Sequence, residues 1–93
     1  MFEIPRPNVI KGDEGFSVEV LGMTGLLYTE GPRNLHVDSE VLAGSHGLII
    51  YSSSIRVWNG PHAGEIIDEA RRDVIVENIR RAFRFRGFEI EVI

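Results

Sequence analysis

The sequence predicts an α+β fold: an antiparallel β-meander of five or six strands with one long C-terminal helix packed on the sheet, followed by a final strand. Three observations carry this expectation. Clusters of turn residues recur through the first two thirds of the chain: Lys11-Gly12-Asp13-Glu14-Gly15, Gly22-Met23-Thr24-Gly25, Glu30-Gly31-Pro32-Arg33-Asn34, Ala43-Gly44-Ser45-His46-Gly47 and Asn59-Gly60-Pro61. Each supplies backbone freedom or a fixed φ for reversing direction. Only after Gly64 do apolar residues recur at helical spacing, and past Gly87 the pattern returns to strict alternation.

The segments between turns are short and alternating or β-branched: 16–20, 26–29, 35–42 and 48–51, followed by 55–58. They read as an antiparallel meander. Ser52-Ser53-Ser54 can be a tight turn between two strands or a bulge within one longer strand, and the bent strand is the preferred reading. In the helix, Ile67, Val74, Ile75, Ile79, Ala82 and Phe83 form the apolar stripe, with Ile75, Ile79 and Phe83 expected to face the sheet. Asp68 can cap its first turn and Gly87 can end it in the left-handed conformation, giving about nineteen residues and a rod of roughly 28 Å. Phe88, Ile90 and Val92 then alternate with Glu89 and Glu91, a strand with one apolar and one acidic face. Val18, Val20, Ile49, Ile55, Val57, Ile90 and Val92 are the expected opposing core. One domain over residues 1–93 is expected, with 1–8 and 59–65 its least ordered parts.

The chain has 93 residues, 43% hydrophobic and 26% charged, enough for one modest core and not for two. It contains no Cys, which excludes disulfides, thiolate nucleophiles and Cys-ligated zinc. No apolar run is long enough to span a bilayer, and Met1-Phe2-Glu3-Ile4-Pro5 lacks the basic start and apolar stretch of a secretory signal. A cytoplasmic protein without membrane contact is therefore expected. The formal charge is −4 and is unevenly spread. Residues 1–69 hold four basic and ten acidic side chains, whereas 70–93 hold six and four.

His36, Asp38 and Glu40 alternate with Leu35, Val37 and Val41, so on a strand all three leave one face. An imidazole and two carboxylates suit a divalent ion, but at about 7 Å per repeat they are too spread for one ion's inner ligands. A solvated sheet face, or an acidic contact surface, accounts for the spacing without a metal, and no cofactor is expected. The carboxylate pairs Asp38 with Glu40 and Asp68 with Glu69 lack any sign of the deep pocket that would separate their pKa values. Adjacent acids at a helix start are explained by the helix dipole. No Gly-x-Ser-x-Gly elbow or phosphate-cradling glycine loop occurs, and Ser45-His46 and Ser52-Ser53-Ser54 read as turns, so a small hydrolase is a distant reading. Six helix arginines, Arg71, Arg72, Arg80, Arg81, Arg84 and Arg86, could track phosphates and make a nucleic-acid-binding or regulatory module the second reading. Acids spaced near i, i+4, such as Asp68 with Arg72 and Glu77 with Arg81, and the overall acidity oppose it. Tyr28, Tyr51 and Trp58 suit either a core edge or an interface centre. Simple alternation puts Trp58 on the face of Arg56, which favours its partial exposure.

Taken in order, Gly25-Leu26-Leu27-Tyr28-Thr29-Glu30-Gly31, Glu40-Val41-Leu42, Ile49-Ile50-Tyr51, Ile55-Arg56-Val57-Trp58, Pro61 and Ile67-Asp68-Glu69-Ala70-Arg71-Arg72 form a recognisable series. With Ile75-Val76-Glu77-Asn78-Ile79-Arg80-Arg81-Ala82-Phe83 and Gly87-Phe88-Glu89-Ile90-Glu91-Val92, it resembles family seventy-four of the polymorphic-toxin immunity proteins, of the contact-dependent growth inhibition type. The resemblance covers roughly residues 22–93. It implies a small α+β protein that is no enzyme and that binds a cognate toxin domain, one to one, inside the producing cell. Many such toxins attack nucleic acids and present a cationic cleft, which an acidic domain could steer towards and occupy. Tyr28, Glu30, His36, Asp38, Glu40 and Trp58 are the expected toxin contacts, with nucleic acid and membrane excluded as partners.

Overall fold

A computed structural model describes residues 1–42 and 47–93 of the chain. The Ser45-His46 pair lies outside the described residues. Among the described residues, seven strands form one curled sheet in sequence order: β1 (Phe2–Arg6), β2 (Val9–Gly12), β3 (Phe16–Val20), β4 (Gly25–Glu30), β5 (Arg33–Val41), β6 (Gly47–Ile50) and β7 (Glu89–Val92). Helix α1 (Glu69–Phe85) connects the sixth strand's side of the fold to the seventh. Pairing is antiparallel throughout except between β6 and β7, which run parallel because the helix carries the chain back to the starting end. The expected α+β fold, an antiparallel meander of five or six strands with a C-terminal helix and a final strand, is what forms, with six strands before the helix among the described residues.

The long β5 turns the sheet. Its first part, Arg33 to Asp38, pairs with β4, and its last part, Ser39 to Val41, pairs with β6. Alternation along it puts Leu35, Val37 and Ser39 inside and His36, Asp38 and Glu40 outside. Sheet residues such as Phe16, Val18, Leu26, Tyr28 and Ile50 meet Ile75, Ile79, Ala82 and Phe83 of α1 in one apolar cluster. The helix orientation expected from periodicity is thus observed: Ile75 and Ile79 are fully buried and Phe83 nearly so.

Both helix ends form as their sequences dictate. Asp68 has extended backbone and its carboxylate accepts the Arg71 amide at 2.7 Å, satisfying a donor that has no partner within the first turn. At the other end Gly87 takes φ +86°, its amide donates to the Arg84 carbonyl, and the Phe88 amide donates to the Phe83 carbonyl at 2.9 Å. The Phe83 and Phe88 rings then meet edge to face, the apolar contact that accompanies this type of helix stop. The helix itself spans 17 residues, slightly shorter than expected, because Arg86 and Gly87 belong to the stop.

Other parts depart from expectation. Ser52–Ser54 is a turn of 3-10 helix, not a bulge in a bent strand, and 55–58 is no strand beyond one isolated bridge between Val57 and Ile66. The reason is local bonding: the Ser54 and Ile55 amides and the Ser54 hydroxyl all close back onto Tyr51 or Ser52 carbonyls, and the Ser52 amide is taken by Ile93. That turn resets the alternation. Ile55 stays buried, but Val57 is exposed and Trp58 is buried, the reverse of the expected facing. On β6, Leu48 and Ile50 point into the core, so Ile49 is only half-buried. Val20, Ile90 and Val92 pack on the core's margin. Residues 1–8 contain β1, whose Phe2 packs against Phe16 and Phe85. In the 59–65 segment the Asn59 amide bonds the Asn34 carbonyl at 2.8 Å.

Candidate functional site

The six expected contact residues separate onto two faces of one sheet. On β4, Leu26, Tyr28 and Glu30 share the face that carries the helix, whereas on β5 His36, Asp38 and Glu40 take the opposite face. Strand alternation makes each triplet. The antiparallel register decides that Leu27 and Gly25, not Tyr28, stand opposite His36 and Asp38.

On the helix side, Tyr28 is wholly buried, stacked between Phe16 and Trp58 with ring centroids 6.0 and 6.4 Å apart. Its hydroxyl donates to Glu30 Oε1 at 2.7 Å and accepts from Asn78 Nδ2 at 2.9 Å. Burial pushes its pKa up, against the lowering effect of the Asn78 bond. Glu30 also forms an ion pair with Arg71 in the first turn of α1. Beside this pair Arg33 binds Glu65 at 2.9 Å, and with Asp68, Ile66 and Trp58 these groups line a hollow of about 350 Å³. Trp58 is 5% exposed, so the expected partial exposure is corrected: the 3-10 turn has swung it inward onto Tyr28. This side therefore ties the helix start to the sheet.

The outer face is different. His36, Asp38 and Glu40 are all exposed, and with Thr24, Ser39, Tyr51 and Ser53 they line a depression of about 640 Å³. Gly25 matters here because its missing side chain leaves room for the His36 ring: a Cβ there would stand 2.5 Å from His36 Nε2. His36 Nδ1 lies 3.4 Å from Asp38 Oδ1. The Asp38 amide donates to Ser54 Oγ at 2.9 Å, its carbonyl accepts from the Tyr51 amide at 2.9 Å, and the Tyr51 hydroxyl donates to Glu40 at 2.9 Å. The bond to Glu40, then burial and the carboxylate's charge, raise the Tyr51 pKa. Sequence reading had no way to pair Tyr51 with Glu40, because the turn cluster between β5 and β6 hides the register. The signal was only that Tyr51 ends an apolar run.

The chemistry of this face is that of acceptors held in fixed positions and open to a partner. Among the described residues no three His, Asp or Glu side chains converge so as to hold a metal ion. No helix among them is long and apolar enough to cross a membrane. The helix arginines are engaged at several points: Arg71 with Glu30, Arg80 with Glu77, Arg81 with Glu14, Arg84 with Glu89, and Arg86 with the Pro7 carbonyl. Most of these ties reach across to the sheet or its loops, in place of the expected i, i+4 pairs.

Fold and site together define a small α+β domain with a polar, solvent-facing sheet surface and a helix locked to the other side by ion pairs. Residues 18–93 match the family described as Immunity protein 74, and the chain belongs to that family. Membership supports an immunity function with a toxin as partner and suggests a role other than catalysis. No curated protein and no solved structure matches the chain.

Proposed function

We propose that this chain neutralises a cognate toxin domain, a nuclease delivered by a contact-dependent growth inhibition system, by binding it one to one in the cytoplasm of the cell that makes both. It acts as a binder, without turnover and without nucleic acid or membrane as partner. The observation that carries this reading is the exposed row His36, Asp38 and Glu40 on an acidic member of the immunity family. A nuclease cleft is cationic, so an acidic face gains both association rate and specificity against it. Size is adequate: a standard interface takes about 800 Å² per partner, about one seventh of this chain's 5544 Å² surface.

Within the proposed contact set, His36, Asp38 and Glu40 touch the toxin. Tyr28 and Trp58 act from beneath, by holding the sheet and the 58–68 segment in place, and Glu30 lies at the helix start on the other face. The test is the affinity and kinetics of Asp38→Ala combined with Glu40→Ala against the toxin domain encoded beside this chain. Association should slow and its salt dependence should become shallower. Unchanged association, dissociation and salt dependence would remove both carboxylates from the contact set.

A further inference from the structure

We infer that the free edge of β7 is a docking site for an extended segment of the toxin, which adds to the sheet as an eighth strand and carries Lys or Arg at alternate positions. The inference rests on the proposed toxin-binding role and names how the partner is held. Among the described residues β7 is the last strand of the sheet, with no strand beyond it. Its bonding to β6 is fixed by two contacts: the Ile93 amide donates to Ile50 at 3.0 Å and the Ile93 carbonyl accepts from Ser52 at 2.8 Å. In a parallel ladder a residue bonds its neighbour with both backbone groups and the next residue turns both away. Glu89, Glu91 and Ile93 therefore face β6, and Ile90 and Val92 direct their N–H and C=O groups outward from the sheet.

The opposite edge is closed to such addition. β1 contains Pro5 and runs into Pro7, its register slips between Glu3 and Arg6, and Arg86 already occupies the Pro7 carbonyl. β7 has none of these guards. What it has is acid: Glu89 and Glu91 leave one face of the strand, and both are exposed. The register joins that face to the candidate site, because Glu40 stands opposite Ile49 and Ile49 opposite Glu91. The acids of β5 and β7 thus share one face of the sheet, separated by Ile49 of β6, and reach the open edge.

Charge selects the occupant. A second copy adding through its own β7 would have to match its pleat, placing its Glu face against Glu89 and Glu91, and directly opposed like charges destabilise a strand pair. A strand with Lys or Arg on that face gains cross-strand pairs instead, and its backbone supplies specific hydrogen bonds that salt does not screen. Arg84 lies 3.6 Å from Glu89, and both side chains are more than half exposed, so it offers weak competition.

The experiment uses the purified complex of this chain with the toxin domain encoded beside it. Amide exchange at Ile90 and Val92 should slow by at least about tenfold relative to the free protein. Val92→Pro, which removes an outward amide and no bond to β6, should weaken binding at least about tenfold, and Val92→Ala less than about threefold. Circular dichroism checks that both variants fold; if the proline variant does not, the exchange measurement decides. Unprotected amides, or a folded Val92→Pro that binds like Val92→Ala, would overturn the edge site. Failure of the wild-type chain to bind would overturn the toxin-binding role and the edge site with it. Loss of affinity in the Asp38→Ala, Glu40→Ala variant with unprotected edge amides would overturn the edge site alone.

Discussion

Removing one oxygen atom from Tyr28 tests how the sheet and helix are joined. The hydroxyl donates to Glu30 and accepts from Asn78 of α1, so Tyr28→Phe breaks both bonds while keeping the ring between Phe16 and Trp58. A hydrogen bond to a charged group contributes about 1.5–3 kcal/mol and a neutral one about 0.5–1.5 kcal/mol. Glu30 keeps its Arg71 partner and its side chain is 25% exposed, so water can replace part of the loss. The expected cost is therefore ~1–3 kcal/mol. Tyr28→Ala also deletes the ring, for which aromatic-to-Ala changes in cores cost about 3–5 kcal/mol. Urea unfolding followed by the fluorescence of Trp58, the one tryptophan and itself buried, reads both variants at constant m. A cycle with Asn78→Ala should show coupling, since the two groups share a bond. A Tyr28→Phe variant as stable as the parent, or a Tyr28→Ala variant no worse than Tyr28→Phe, would refute the described role.

Phe83→Ala should cost ~3–5 kcal/mol in chemical denaturation, because the ring is 6% exposed and packs on Phe88; a loss under about 1 kcal/mol would mean the helix is turned differently. Tyr51 should titrate above its ordinary pKa of 10, and Glu40→Gln should bring it back down, read by tyrosinate absorbance. Because folding raises the pKa of both Tyr28 and Tyr51, the stability they contribute is full below about pH 10 and is lost as pH rises beyond it, since the unfolded chain releases those protons first. An unchanged Tyr51 titration in Glu40→Gln would contradict the bond to Glu40.

Elements set by local pattern were legible in the sequence. The helix carries its own period, cap and stop in Ile75, Ile79, Phe83, Asp68 and Gly87, and strands β3 to β5 carry clean alternation between marked turns. β1 and β2 were not: β1 carries Pro5, which only an edge strand tolerates, and β2 is four residues long and ends in Lys11-Gly12, which belong to a turn cluster in the sequence. The facing of Trp58 failed for a different reason. Alternation can be counted only along an unbroken strand, and three serines able to bond their own backbone break it. The candidate site was half legible. Spacing alone put His36, Asp38 and Glu40 on one face, but no count along one strand could assign Tyr28 and Glu30 to the other, since that depends on register between strands. Tyr51 and the acids of β7 join the outer face only through pairings made by β6.

The most direct test is growth. Cells that express the proposed cognate toxin domain should stop growing when the chain is absent and recover when it is supplied, less completely when Asp38 and Glu40 are both Ala. Growth that stays arrested when the folded chain is supplied would contradict neutralisation by binding.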